Sequence, residues 1–272
     1  MKKKPKIVSL VRTVCLFTGA VVLCVVSPEP STAQEQLDVL LERTAKQVSF
    51  FLDLISEVNC TERVLQEKLT DNGKVVEKEA TTYDYLIILS TSDGDLNLVE
   101  SRIAPKDAKQ QKKIRAPLLI SNGFSTLFLV FHPYYAASFQ FTREGEESLN
   151  RHTLTKIHFQ HIPGMRSPAA LAVRGREYPL DINGTAWVDA ATGVIAKLTA
   201  NIDSGMEDAG LRTLHSEVRF APVTFHDSPE SFWLPAQTTV EVETRHQHWR
   251  NTHRFSDYKR FSVNTKEQIA KQ

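Results

Sequence analysis

Residues 184–198 read Gly184-Thr185-Ala186-Trp187-Val188-Asp189-Ala190-Ala191-Thr192-Gly193-Val194-Ile195-Ala196-Lys197-Leu198. An apolar run ends at Val188, another begins at Val194, and the residues between them have turn chemistry. Asp and Thr side chains bond to nearby backbone, and Gly accepts the left-handed backbone that a tight turn requires. A strand, a tight turn and a second strand form the unit of an antiparallel sheet. Trp187 and the apolar residues of the second strand are expected to fill a sheet face, with Asp189, Thr192 and Gly193 making the turn.

Outward from this hairpin the same signal repeats. From Tyr134 to Val263 the candidate strands are Ala136–Arg143, Thr153–His161, Ala169–Arg174, Glu177–Val188, Val194–Ile202, Arg212–Phe220, Gln237–Arg245 and Thr252–Phe261. Turns at Arg174-Gly175-Arg176 and Asp203-Ser204-Gly205 separate several of them. Towards the N-terminus the period is two from Thr61. Asp71-Asn72-Gly73 and Ser92-Asp93-Gly94-Asp95 then divide three strands of a meander. Before the meander, Leu37, Leu40, Leu41, Thr44, Val48, Phe51, Leu52, Ile55 and Val58 recur at three- and four-residue steps. This predicts an amphipathic helix over Gln34 to Asn59. About eleven strands and two helices, at a spacing near ten residues, predict one mainly β domain of the α+β class. Its sheet is expected to be a closed or nearly closed antiparallel barrel. A doubly wound α/β enzyme does not fit.

The most unusual stretch is Phe124-Ser125-Thr126-Leu127-Phe128-Leu129-Val130-Phe131. Ser121-Asn122-Gly123 reads as a helix start, Phe124, Leu127, Phe128 and Phe131 share one helical face, and His132-Pro133 reads as a stop. Leu129 and Val130 make the opposite side apolar too. A short helix that is hydrophobic all round needs cover on both sides. It is either wedged in a core or sits over an apolar cavity.

Residues 1–33 read as an export signal: basic at Lys2, Lys3, Lys4 and Lys6, apolar from Ile7 to Val26, with Ser31-Thr32-Ala33 as a small-residue cleavage site. The rival reading, an uncleaved anchor, has Arg12 against it. Arg12 shortens the apolar run to Thr13–Val26, below the roughly 20 residues a bilayer core needs. Leu23 stands before Cys24 where lipidation would want a small residue. Removal of this segment turns the formal charge of +1 into 28 basic against 31 acidic residues, and leaves Cys60 as the one thiol of residues 34–272. A near-neutral domain is not the strongly basic footprint of a nucleic-acid binder. A lone cysteine excludes an intrachain disulfide framework. Cys60 reads as a small buried hydrophobe. Lys106 to Arg115 is a lysine-rich connector, either a solvated loop or a patch for anionic lipid or an acidic partner.

Motifs for phosphate loops, nucleophile elbows and H-E-x-x-H zinc sites are absent. His246 and His248 are expected on one strand face and could take zinc with a third ligand. Glu241 and Glu243 share a face, and His158 and His161 fall on opposite faces. None of these marks catalysis, so no catalytic residue, metal ligand or cofactor is assigned.

Trp187-Val188-Asp189, Thr192-Gly193-Val194-Ile195, Phe232-Trp233-Leu234-Pro235 and a closing Tyr258-Lys259-Arg260-Phe261 follow a signal, an amphipathic helix, a meander and an apolar helix. This element order resembles the outer-membrane lipoprotein carrier (LolA/LolB-like) superfamily over residues 34–272. The resemblance implies an unclosed antiparallel barrel with helices over its concave apolar side. It further implies a periplasmic, monomeric, non-catalytic carrier of a lipid or of a lipid-modified protein's acyl chains. The ligand-binding residues would be Phe124, Leu127, Phe128, Phe131 and Trp187, and a membrane-associated protein would be a possible partner. Sensor modules of envelope-stress regulation share the fold, so a protein-interaction module is the alternative function. A His-dependent metal enzyme is a third and more remote one.

Overall fold

The computed structural model describes residues 32–92, 95–104, 124–149, 152–173, 176–206, 210–226 and 229–261. The export signal before Thr32, the lysine-rich connector, the Ser121-Asn122-Gly123 helix start and most of the Arg174-Gly175-Arg176 turn lie outside these residues.

Helix α1 spans Thr32–Ile55. Leu37, Leu40, Thr44, Val48, Leu52 and Ile55 are buried, which is the spacing that puts one stripe of a helix against a partner. Thr44, a residue of weak helix propensity, is accommodated because its hydroxyl donates to the Leu40 carbonyl at 2.9 Å. The opposite side keeps Glu42 and Lys46, paired at 2.6 Å, in solvent.

Twelve strands follow among the described residues. They are β1 (Val58–Leu69), β2 (Val75–Ser92), β3 (Asp95–Ile103), β4 (Phe139–Leu149), β5 (His152–His161), β6 (Ala170–Val173), β7 (Arg176–Pro179), β8 (Ile182–Val188), β9 (Ile195–Ile202), β10 (Leu211–Thr224), β11 (Ser231–Thr244) and β12 (His248–Arg260). Ten form one antiparallel sheet in the order β3-β2-β1-β12-β11-β10-β9-β8-β5-β4, which does not close on itself; β6 and β7 form a separate hairpin. The architecture is thus an unclosed antiparallel barrel of the mainly β class: the strand spacing predicts the antiparallel sheet, and the open edge is what the family resemblance implies. Two neighbour relations join distant sequence: β1 pairs with β12, and β5 pairs with β8 across the β6–β7 excursion.

Between β3 and β4 a 3₁₀ helix spans Phe124–Phe131, followed by a four-residue α2 (Pro133–Ala136). Leu127, Phe128, Leu129, Val130 and Phe131 are all at most 3% exposed, so over these five residues the helix is covered on every side. It packs between α1 and the sheet. Phe128 meets Phe51 of α1 edge-on at 4.5 Å, while Phe131 lies 5.1 Å from Phe141 of β4 and 6.2 Å from Phe159 of β5. Each such burial contributes about 1.5–3 kcal/mol, which explains why so apolar a segment is held in place.

Several details differ from the sequence expectation: α1 stops at Ile55, so that Val58 and Asn59 already belong to β1, and Ala136 ends α2 rather than opening a strand, so β4 starts at Phe139. His132-Pro133 does not simply stop the helix but starts α2, because Pro is favoured at a first helical position and His132 Nδ1 accepts the Tyr134 amide at 3.2 Å. The expected strand Glu177–Val188 is two strands, broken after Pro179, where Leu180 turns its amide to the Ala169 carbonyl. His246 is not on a strand. β11 ends at Thr244, whose hydroxyl accepts from the His246 and Gln247 amides in the turn, so His246 is exposed there while His248 begins β12.

Candidate functional site

Where α1 crosses the sheet it does not fill the space beneath it. A cavity of about 360 Å³ remains, walled by Phe50 and Phe51 of α1, Phe128 of the 3₁₀ helix, Phe220 of β10, and Phe232 and Trp233 of β11. That is within the roughly 300–1,000 Å³ typical of small-ligand pockets, and the lining is predominantly apolar with a few polar groups, Gln47, Glu230 and Ser231, as such pockets usually are. Phe51 sits 6.0 Å edge-on to Phe220, so two aromatic contacts anchor α1 at this level. Phe50 is 54% exposed and stacks at 6.1 Å on Phe232, forming an apolar rim at the mouth. An exposed phenylalanine beside an apolar cavity leaves a continuous greasy path from solvent to interior.

The turn between β8 and β9 holds α1 down at the other side of this mouth. Asp189 Oδ1 accepts from the Ala191 amide, the Thr192 amide and the Thr192 hydroxyl at 2.8–3.0 Å, which fixes the turn's shape. Arg43 of α1 donates from Nη1 to the Ala190 carbonyl. Gly193 has φ +77°, and a Cβ there would lie 2.8 Å from the Arg43 carbonyl carbon. Both demands select glycine: a left-handed backbone, and room for another backbone to approach. Gly184 of β8 is likewise constrained, since a Cβ would meet the Phe159 ring at 2.6 Å.

The structure brings Leu127, Phe128 and Phe131 together on the buried side of the sheet, but of these three only Phe128 borders the cavity. Leu127 and Phe131 wedge the 3₁₀ helix in place. Phe124 begins that helix, and its side chain is outside the described set. Trp187 is not with them. It lies on the outer face in a small cluster with Leu154 and Ala196, donates Nε1–H to Glu147 at 3.0 Å, and carries Lys197 over its ring at 4.3 Å. Neighbouring Ala186 and Val188 take the inner positions. The sequence reading missed Phe51, Phe220, Phe232 and Trp233 as cavity walls. Phe51 is on α1, far in sequence from Phe220 on β10 and from Phe232 and Trp233 on the next strand, β11, and no local pattern links the helix to that hairpin.

The polar clusters have partners of their own. Glu62 of β1 is fully buried. Burial would raise its carboxyl, but hydrogen bonds from His253 (2.8 Å) and a bidentate Arg102 (2.6 and 2.9 Å) outweigh that and hold it below the usual carboxylate range. Arg102 also reaches Glu100 at 2.9 Å and lies over the Tyr85 ring. Cys60 is buried, and desolvation pushes its thiol up to about 12. His248 and Arg250 both bind Glu241 on the outer face, at 2.8 and 3.0 Å, and hold its carboxyl down against a raising effect of burial. Glu243 faces Arg212 instead, at 3.6 Å. His158 lies 3.9 Å from Glu144, and buried His161 pairs with Asp181 at 2.7 Å. Among the described residues no group of three or more His, Cys, Asp or Glu is placed to hold a metal ion, and no helix is long and apolar enough to cross a membrane.

No family model and no curated protein matches the chain. Similar solved structures include a DUF1329 family protein from Desulfovibrio piger, 14% identical over 86% of this chain and 95% of that one, at a TM-score of 0.43. They also include a putative outer membrane lipoprotein-sorting protein domain from Vibrio parahaemolyticus, with the same identity and coverages and a TM-score of 0.42. The MucA/MucB complex of Pseudomonas aeruginosa matches over 86% of this chain and 100% of the other, at 12% identity and a TM-score of 0.19.

Proposed function

We propose that residues 34–272 form a single exported, non-catalytic domain, released from its signal after Ala33 into the periplasm. There it would carry the apolar part of a lipid or of a lipid-modified protein, acting as a monomer and without a cofactor. The observation that supports this most directly is the aromatic-walled cavity under α1, with Phe50 exposed at its rim. Its aromatic walls outnumber the polar groups that share the lining, Gln47, Glu230 and Ser231. An acyl chain gains about 0.8 kcal/mol for each methylene it buries. α1 acts as the lid, because it forms the cavity's outer wall and is held at the turn by Arg43 and the Gly193 contact. Phe128 is the contact residue of the apolar helix. Leu127 and Phe131 position it, and Trp187 supports the sheet from behind.

The test is displacement of a fluorescent dansyl fatty acid. Wild-type protein is expected to bind the probe, and Phe128→Asp to weaken binding at least tenfold while keeping its β-rich circular dichroism. A folded Phe128→Asp that binds like wild type refutes the cavity's role in binding.

A second reading, a protein-interaction module, is favoured by the apolar edge at β2–β3, where Ile88, Val99 and Ile103 are each about half exposed. Failure to bind any lipid probe, together with a polypeptide that co-purifies with wild type and is lost in Val99→Lys/Ile103→Lys, would select it.

A further inference from the structure

The ladder between β9 and β10 stops at Lys197↔Arg219, while β10 continues with β11 as far as Thr224↔Ser231. Beyond Lys197 the β8–β9 hairpin and the β10–β11 pair are therefore not hydrogen-bonded to each other. Two β-bulges flank the opening. In β9 the register skips Ala196, because Trp187 pairs with Lys197 and Val188 with Ile195; in β11 it skips Ala236, because Arg219 pairs with Gln237 and Phe220 with Pro235. Bulges bend strands and end pairing, so both sides turn away from the gap.

A second cavity of about 590 Å³ occupies this place, with both bulged alanines in its wall. It shares Val194, Phe220, Ser231 and Trp233 with the cavity under α1. The two are therefore neighbours with these four residues between them, and of the four Trp233 packs against both the main core and the small outer cluster. The inner one is walled chiefly by phenylalanine, with Gln47, Glu230 and Ser231 also in its lining. The outer one is likewise largely apolar, through Leu154, Phe220 and Trp233, but differs in carrying two cations, Lys197 and Arg219, which grip Glu217 from two sides at 3.0 and 2.6 Å. Their hydrogen bonds hold the Glu217 carboxyl below its ordinary value although burial acts to raise it. Asp189 also stands in the outer wall, but its Oδ1 already accepts the three hydrogen bonds of its own turn. Arg219 is 60% exposed at its side chain and spends its Nε–H on Glu217.

From this juxtaposition we propose that the gap between β9 and β10 is a second, polar mouth of the ligand site, and that the ligand is a single-chain amphiphile with an anionic headgroup. The chain lies in the inner cavity, passes Trp233, and presents its carboxylate or phosphate to Arg219 and Lys197 on the outer face. This rests on the apolar-ligand reading above and adds to it a polarity, a direction and a headgroup class. Guanidinium and ammonium groups beside an apolar passage suit an anion on a hydrocarbon chain, since each end finds its own solvent.

The test uses three dodecyl-chain probes in titration calorimetry: laurate, dodecyl phosphate and neutral monolaurin. The variant Lys197→Met/Glu217→Gln/Arg219→Met removes all three charges, so no carboxylate is left unpaired. Wild type is expected to prefer both anionic probes over monolaurin, and the variant to lose that preference by about tenfold. Loss for dodecyl phosphate alone, or for laurate alone, assigns the headgroup to that source. An unchanged ratio for both, with all three probes bound, overturns the polar mouth and leaves the apolar site standing. No binding of any probe to wild type overturns the apolar-ligand reading itself. If the triple variant fails to fold, Arg219→Gln at its exposed position is expected to lower the ratio about threefold, and an unchanged ratio there overturns the proposal equally.

Discussion

Gly193 is where the lid meets the sheet, and replacing it with alanine separates two costs the structure predicts. At φ +77° an alanine pays for a left-handed backbone, about 1–2 kcal/mol for a residue with a Cβ. Its Cβ would also lie 2.8 Å from the Arg43 carbonyl carbon and 2.9 Å from the Arg43 carbonyl oxygen and Cγ. Two of those three atoms are backbone of α1, so the helix itself must move. Overpacking of this kind costs about 1–3 kcal/mol, and the sum is about 2–5 kcal/mol. Gly73 supplies the control, with nearly the same φ of +74° and nothing within 4 Å of its Cβ position. Gly73→Ala therefore carries the backbone cost alone. In urea unfolding, Gly193→Ala should fall below Gly73→Ala by about 1–3 kcal/mol. Amide exchange should locate the extra loss in α1 around Arg43. Equal destabilisation of the two variants, or unchanged protection of α1 in Gly193→Ala, would refute the latch.

Glu62→Ala takes from Arg102 and His253 the carboxylate they share, leaving Arg102 its pairing with Glu100, and is expected to cost about 1–3 kcal/mol in the same unfolding assay. Because the folded-state value of Glu62 is depressed, its stabilisation is present above the unfolded carboxylate value near ~4.3 and lost as pH falls through the lower folded one. The slope of stability against pH on the acid side should accordingly be shallower in Glu62→Gln than in wild type. Cys60, with its thiol pushed up to about 12, should resist iodoacetamide at pH near ~8 until the protein unfolds. Prompt labelling of native protein would contradict its burial. Trp187→Phe removes the hydrogen bond to Glu147 but not the outer cluster, and should cost about 0.5–1.5 kcal/mol without altering binding of the dansyl probe.

The parts of the fold that were legible in the sequence are those set by neighbours along the chain. The Asn72-Gly73 turn, the Asp189–Gly193 turn and the period of α1 each follow from a few consecutive residues. Contacts across long loops were not. Arg43 reaches Ala190 over 147 residues, and β1 pairs with β12 at the two ends of the described chain. Trp187 shows a subtler limit. Alternation fixes which residues share a face, but Ala186, Trp187 and Val188 are all apolar, so it could not say which face turns inward. The bulge at Ala196 then shifts the phase of β9 against β8. Of the candidate site, the apolar helix was visible because five consecutive residues without a polar group require cover. The aromatic walls on α1, β10 and β11 were not, since each is an ordinary core residue within its own element. His246 was misplaced by a strand end that only the Thr244 side chain reveals.

Native mass spectrometry of the protein recovered from its own host tests the central claim most directly. The expected spectrum contains a population carrying a single lipid mass, which collisional activation releases and which Phe128→Asp lacks. Wild-type protein that is bare in every charge state, after extraction mild enough to keep a control lipid complex intact, would contradict the claim that the cavity beneath α1 exists to hold a hydrocarbon chain.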